Sequence, residues 1–307
     1  MFESQQQEEI HDILVLMRET EENIYRRDFC PNELEALWRK ILIDWMTFVV
    51  DHCCLQRQAV AAAAFFLDVA MSKGLIESRQ EHQLAAASAL QLALKLFDST
   101  VIRIEKLVTL GRGLFTKEDV ANMEYKILKT LNWHCHPPST YCFLRQYERL
   151  LPHSVPKSTR RMMDEITKVV VDLTISDHNY NKYSPSIIAY ACMLMAMELL
   201  SDDDLPIRDR QCFIIRMSTV SKVESNSPDM MKVFDDLKGS LDASGKLEDL
   251  LKSLSEAQNT KRSSTESERN HPKSSSPSAK LQSPRDVMER IGCLSNNTSS
   301  TSLVEMS

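Results

Sequence analysis

The chain has 307 residues, with only six glycines, 15 methionines and a formal charge of −6. A chain of this length accommodates about two domains, and the scarcity of glycine, without alternating runs beside tight turns, predicts helices throughout. No apolar run reaches the roughly 18 residues that a membrane-spanning helix needs, and the start MFESQQQEEI does not resemble a signal peptide. Eight scattered cysteines indicate thiols in a reducing compartment. We therefore expect an all-α protein inside the cell, with no membrane partner.

Helical periodicity divides the chain into eleven predicted helices. Residues 1–28 form the first, amphipathic one, and Asn32 is expected to cap the second, which is apolar on nearly every side and must be enclosed by its neighbours. The other helices are predicted near 56–72, 79–97, 101–110, from 116 onward, and near 139–150, 158–175, 184–200, 206–222 and 228–253. Five helices and then five more predict two similar bundles, at 31–137 and 138–254, after a segment at 1–30.

From about residue 255 the composition changes to Ser, Thr, Asn, Lys and Arg. A segment with so few large apolar residues cannot offset its ordering entropy, so 255–307 are predicted to be disordered. Ser276 and Ser283 each precede a proline and are candidate phosphorylation sites. Residues 257–307 contain seven basic and five acidic residues, which leaves 30 basic and 38 acidic residues in the rest, a charge of −8. That sign argues against nucleic acid as a partner.

Charged residues also occur inside helices that are otherwise apolar. Arg39 and Asp44 lie in the nearly all-apolar second helix and are predicted to be desolvated. A buried guanidinium needs a carboxylate partner, because an unpaired buried charge costs several kcal/mol. Asp68, within AAAAFFLDVAM, is the candidate partner. The simplest interpretation of Arg39 and Asp68 is a structural ion pair.

Lys95 and Glu124 are isolated charges on two other apolar helices. They could offer a donor and an acceptor beside an apolar patch, which suits binding to the backbone of another protein. Alternatively, Lys95 extends into water from a helix end and Glu124 borders solvent. The pattern by itself favours neither interpretation.

The residues that bear on catalysis are few. His134, Cys135, His136 and Cys142 are metal-ligand types, but no C-x-x-C or H-x-x-x-H pair completes a site, so a junction between the bundles is the favoured interpretation. The sequence also contains no phosphate-binding loop, dinucleotide fingerprint or nucleophile elbow. We therefore predict no catalytic residue, no metal and no cofactor. An enzyme built on the His134–Cys142 cluster is the alternative.

Several segments resemble one family. LWRKILIDW, FFLDVAM, QLAAASALQLALK and NMEYKILKTLNW are similar to the first, second, third and fifth helices of the cyclin box, in order, and YNKYSPSIIAYACMLMAMELL is more loosely similar to the third helix of the cyclin C-terminal fold. The HPP after LNW most resembles the cyclins expanded in diatoms. The resemblance implies two tandem five-helix cyclin folds, preceded by a helix and followed by the tail.

The functional implication of this resemblance is regulatory. A cyclin of this kind would not be an enzyme: it would bind and activate a cyclin-dependent protein kinase, help to select its substrates and control cell-cycle progression, in the nucleus, the cytoplasm or both. A cyclin-fold factor associated with transcription is the alternative. Residue by residue, Arg39 and Asp68 match the family's buried ion pair. Lys95 and Glu124 match the pair that hydrogen-bonds the kinase backbone near its C helix and activation segment.

The resemblance also implies a substrate-docking patch for Arg-x-Leu motifs. The matching residues are Trp38, Ile41, Leu42, Trp45 and Gln83. The chain departs from the family because Trp38 replaces a methionine and Phe48 replaces an acidic residue, for which Asp51 could compensate one turn further on. The acidic pair that commonly follows the lysine is also changed, to Leu96, Phe97 and Asp98.

Overall fold

The computed structural model describes residues 2–25, 29, 31–76, 78–98, 102–223, 225, 227–245 and 252. Within these ranges every regular element is helical, which confirms the all-α prediction. None of the described helices combines the length and the low charge that crossing a membrane requires. The predicted disorder of 255–307, with Ser276 and Ser283, lies outside the described residues.

The described helices follow the predicted order. They are α1 (Phe2–Asn23), α2 (Glu33–His52), α3 (Gln58–Ser72), α4 (Arg79–Phe97), α5 (Ile104–Leu110), α6 (Lys117–Thr130), α7 (Thr140–Glu148), α8 (Lys157–Ser176), α9 (Pro185–Leu199), α10 (Ile207–Arg216) and α11 (Pro228–Ser244). A 3-10 helix, His178–Lys182, precedes α9, and a π-helical turn, Met217–Ser221, continues α10. The last helix does not run without a break as predicted: α11 ends at Ser244, because Gly245 adopts a left-handed conformation that terminates it. Of the remaining predicted residues only Lys252 is described, and the others lie outside the described residues.

Local sequence explains where the helices of the first bundle begin. Three of these helices begin with a capping box. In each, the side chain of the residue before the helix accepts a hydrogen bond from the backbone N–H of the third helical residue, and the acidic side chain of that third residue accepts one from the backbone N–H of the residue before the helix. The pairs are Asn32 with Glu35, Ser78 with Glu81 and Thr116 with Asp119. These caps satisfy N–H groups that have no partner within the helix, so each start is encoded locally.

Helices α2 to α6 form the first fold around one apolar core. Alanines line α3 and α4, which allows the two helices to approach closely, and α4 is enclosed along most of its length. The predicted burial of Asp44 is wrong. Asp44 is exposed and bonds to Lys40 and Ser176, because it faces outward while Arg39 faces the core.

Helices α7 to α11 form the second fold, with α9 at its centre. Helix α1 packs on this second fold, where Ile10 and Leu14 join the core. Polar contacts hold α1 in place: the Ser186 backbone N–H and hydroxyl donate to Glu21 at 2.9 and 2.7 Å, and His11 Nδ1 lies 2.6 Å from the Val220 carbonyl oxygen. The N-terminal helix is therefore part of the second core, although it precedes the first fold in sequence.

Candidate functional site

An accessible ion pair joins the third and fifth helices of the first fold. Lys95 lies in the last turn of α4, where the helix dipole favours a cation, and α4 packs against α6, which carries Glu124. Lys95 Nζ donates to both carboxylate oxygens of Glu124, at 2.9 and 2.7 Å. The lysine side chain is 44% exposed and the glutamate side chain 12%. An ammonium has three N–H groups, so Lys95 keeps a donor for another partner at the surface, beside the less exposed carboxylate of Glu124.

Apolar and aromatic side chains lie near this pair along the chain. Leu96 and Phe97, which follow the lysine, are partly buried, whereas Tyr125, which follows the glutamate, is exposed. Trp133, just after α6, is 65% exposed and has a φ of 64°, a conformation uncommon for a bulky residue. Sequence reasoning missed Tyr125 and Trp133 as surface aromatics, because an aromatic within a periodic pattern is usually core. The charged pair therefore has partly buried apolar residues beside it in the sequence of α4 and exposed aromatic residues within and just after α6.

A second ion pair lies in the interior. Arg39 is 1% exposed; its Nε donates to Asp68 Oδ1 at 2.5 Å, and its Nη2 donates to Asp68 Oδ2 at 2.9 Å. Two parallel bonds of this kind are the strongest geometry available to a guanidinium and a carboxylate. The pair ties α2 to α3 within the first fold.

The same guanidinium also reaches the second fold. Arg39 Nη1 donates to the backbone oxygens of Ile175 and Ser176, at 3.0 and 3.3 Å. The Asn181 side chain accepts from Arg39 Nη2 and donates to Asp68 Oδ2, both at 3.3 Å. Sequence reasoning missed Asn181, because it lies in a polar segment with no local sign of burial. Arg39 is therefore the centre of a buried network that joins the two folds.

The structure places the five residues of the predicted docking patch inside the first fold. Trp38, Ile41, Leu42, Trp45 and Gln83 are each 5% exposed or less. Their side chains therefore offer little surface to an incoming peptide in this conformation, and binding of Arg-x-Leu motifs stays a prediction.

The two residues at the positions expected to meet the arginine of a docking motif are Phe48 and Asp51. Phe48 is exposed, and Asp51 accepts two bonds of 2.8 Å from Arg57, which also contacts Asp172. Asp51 is thus held by an internal arginine, so a basic docking motif would have to compete with Arg57 for it.

The residues around the His134–Cys142 junction contact both neighbouring and distant parts of the chain: the His136 backbone N–H donates to the Tyr25 hydroxyl at 3.0 Å, and the Gln58 side-chain amide donates to Cys142 Sγ at 3.4 Å. His134 Nδ1 is 3.3 Å from the Leu131 carbonyl oxygen, and Cys142 Sγ lies 3.3 Å from Ser139 Oγ. Burial raises the pKa of the Cys135 thiol, which disfavours a nucleophilic thiolate. In the part of the chain that the structure describes, no three His, Cys, Asp or Glu side chains are grouped so that they could hold a metal ion.

Comparisons with known proteins cover both folds. A family model described as the cyclin N-terminal domain matches residues 12–136, and one described as the cyclin C-terminal domain matches 138–282. The chain is 28% identical over 184 residues to Cyclin-A2-1 of Oryza sativa subsp. japonica, and 26% identical over 199 residues to the G2/mitotic-specific cyclin-B of Hydra viridissima. These matches cover 57% and 64% of this chain but only 37% and 49% of those relatives. The similarity to the diatom group stays a prediction.

One solved structure shows the same fold. The viral cyclin from herpesvirus saimiri superimposes with a TM-score of 0.60 at 18% identity, over 74% of this chain and 97% of the viral one. At that identity the likeness concerns the fold alone. The two family models together match most of the chain, and they match its two helical bundles in order. The chain belongs to the cyclin family.

Proposed function

We propose that this chain is a regulatory subunit, not an enzyme, that binds and activates a cyclin-dependent protein kinase and so controls progress through the cell cycle. The observation that carries the proposal is the accessible pair of Lys95 and Glu124 on α4 and α6 of a cyclin N-terminal domain. The A-type and B-type cyclins among its relatives support a role in cell division.

The pair suits recognition of a protein backbone. Lys95 can donate to a carbonyl oxygen of the kinase, and Glu124 can accept from a backbone N–H. Charge-assisted bonds of this kind hold a loop or helix end in one orientation. The pairing of the two residues in the free chain keeps both side chains in place before the partner arrives.

Activation follows if the cyclin binds one kinase conformation better than another. A ligand shifts a conformational equilibrium only by its difference in affinity for the two states. We propose that Lys95 and Glu124 bind the kinase with its C helix and activation segment in the active arrangement. The kinase then aligns its own catalytic groups and performs the phosphoryl transfer.

The test is co-purification of a cyclin-dependent kinase with Lys95→Ala and Glu124→Ala, together with assay of its activity on a protein substrate. Truncation of a binding hot spot costs at least about 2 kcal/mol, which is about a 30-fold loss of affinity. Lys117→Ala is the matched control, because Lys117 also forms an exposed pair, with Glu105 at 2.6 Å. Wild-type kinase binding by both variants, or equal loss in the control, would refute the assignment.

A further inference from the structure

The second fold also has an ion pair between its third and fifth helices, with the positions of the acidic and basic residues exchanged. The end of its third helix, Ala196 to Leu199 (AMEL), follows the same order of exposure as the end of α4, Ala93 to Leu96 (ALKL): two buried residues, one exposed and one partly buried. Glu198 therefore takes the place of Lys95. Its carboxylate accepts a 3.0 Å bond from Lys238 of α11, the fifth helix of the second fold. Both side chains of this reversed pair are exposed.

The position on the fifth helix differs by one turn. Along α11 the order of buried and exposed residues places Phe234, which is partly buried, where α6 has Glu124. Lys238 lies four residues after Phe234, on the same side of the helix. At the position of Glu124 the second fold therefore has a partly buried aromatic residue, and the lysine of its charged pair lies one helical turn further along α11.

Next to this pair is an open groove of about 400 Å³ between α9, α10 and α11. Its apolar lining consists of Leu194, Met197, Ile214, Met230, Met231 and Phe234. Met231 is 57% exposed. Methionines adapt their shape to a bound apolar side chain, and an open apolar groove with a polar rim is typical of a site that binds another segment.

The charge of the rim restricts what can bind. Glu198 and Asp235 line the groove. The lining residue Arg210 is paired with Asp202 at 3.1 Å and donates to two backbone oxygens, those of Leu200 and Leu205. The charge of Arg210 is thus already engaged, and Glu198 is paired with Lys238, so Asp235 is the acidic residue of the rim that a basic residue can approach. The groove favours a segment with apolar residues on one side and a basic residue beside them.

We infer that residues 285–294 of this same chain, RDVMERIGCL, bind in the groove. Val287, Met288, Ile291 and Leu294 have the spacing of one helical face, and Arg290 directly precedes Ile291. The segment itself contains two basic and two acidic residues, but residues 257–307 together carry a charge of +2 (seven basic, five acidic) against −8 for residues 1–256, so the tail as a whole is attracted to the rest of the chain. This inference does not depend on whether the first fold binds a kinase.

The connection is long enough. Residues 246–284 separate the end of α11 from the segment, and a flexible linker of about 40 residues would have a root-mean-square end-to-end distance of about 35 Å. A covalent tether gives an effective concentration on the order of 1 mM. Even a segment with a Kd of about 0.1 mM would therefore occupy the groove about nine-tenths of the time and slow amide exchange there about tenfold.

Hydrogen–deuterium exchange on the full-length chain tests this inference. Ile291→Glu places a charge on the apolar face of the segment and changes nothing in the folded part, so amides of α10 and α11 should exchange about tenfold faster than in the wild type. Leu303→Glu, a change of the same kind further along, is the matched control and should leave this exchange unchanged. Wild-type exchange in Ile291→Glu, or equal acceleration in Leu303→Glu, would overturn the inference.

The groove is tested from its own side with Met231→Glu. This substitution at an exposed position should accelerate exchange of the 285–294 amides about tenfold, because the segment loses its apolar site. Ile207→Glu is the control, since Ile207 is equally exposed on α10 but does not line the groove. If Met231→Glu leaves exchange at 285–294 unchanged, the segment does not bind there.

Discussion

The first fold contains two ion pairs that look alike in sequence and differ in environment. Arg39 with Asp68, and Lys95 with Glu124, each join two helices across a separation of 29 residues. The arginine is 1% exposed and the lysine side chain 44%. The first pair is also bonded to the second fold, whereas the second has its lysine at the surface and its glutamate partly buried.

This difference in burial decides what each pair can do. Removing one partner of a buried pair leaves the other charge unpaired in an interior that solvates it poorly. The loss of either partner therefore destabilises the fold strongly. An exposed pair contributes little, because water replaces the lost partner. Its atoms are then available to bind another protein at little cost in stability. The following experiments break or sharpen this comparison, from the largest expected effect to the smallest.

Asp68→Ala should have the largest effect, because it leaves Arg39 buried without its carboxylate. We expect the free energy of unfolding to fall by about 3–5 kcal/mol in urea titrations followed by far-UV circular dichroism. Asp44→Ala is the matched control: Asp44 lies on the same helix as Arg39 but is exposed, so its loss should cost less than about 1 kcal/mol. Equal costs for the two variants would show that burial does not distinguish these carboxylates.

Asn181→Ala should have an intermediate effect. The substitution removes a side chain that bonds both Arg39 and Asp68, and unsatisfied buried polar groups cost about 1–3 kcal/mol. The same urea titration measures the loss. Asn179→Ala controls for the 3-10 helix, because the Asn179 side chain bonds only to nearby Asp177 at the surface. A cost below that of the control would contradict a role for Asn181 in joining the folds.

Lys95→Ala should change the free energy of unfolding by less than about 1 kcal/mol, because an exposed ion pair is screened by water and salt. Urea titrations at low and high salt measure this. The small stability change would stand beside the large loss of kinase binding expected for the same variant. A loss of stability as large as that of Asp68→Ala would instead make Lys95 a structural residue.

The smallest effect concerns Glu148, a carboxyl that is partly buried. Burial, reinforced by nearby Asp164, raises the pKa of Glu148. Because the folded pKa lies above the unfolded one, the folded state binds the proton more tightly, and stability falls as pH rises through the window that begins near the ordinary pKa of about 4.3.

Glu148→Gln should remove that fall. The variant should match the wild type in free energy of unfolding at about pH 4 and exceed it at pH 7, in urea titrations at both values. Glu165→Gln is the control, because Glu165 is exposed and paired only with Arg161. An equal gain for Glu165→Gln at pH 7 would show that burial of Glu148 is not the cause.

The sequence by itself determined which segments are helical and where most of them begin. Apolar periodicity and capping residues such as Asn32 and Thr116 act within one or two turns, so the information is local. It also singled out Arg39 and Asp68, because charged residues within apolar helices demand partners wherever the helices pack. Lys95 and Glu124 stood out for the same reason, although the pattern did not indicate what they do.

Only the tertiary structure decided how those charges are surrounded. Asn181 meets Arg39 across 142 residues of sequence, and no local pattern encodes a contact at that distance. The exposure of Asp44 and the packing of α1 on the second fold likewise depend on which helix face meets which neighbour. Periodicity shows that a face is apolar, but the packing of the other helices determines whether it becomes core or remains a surface that binds another segment.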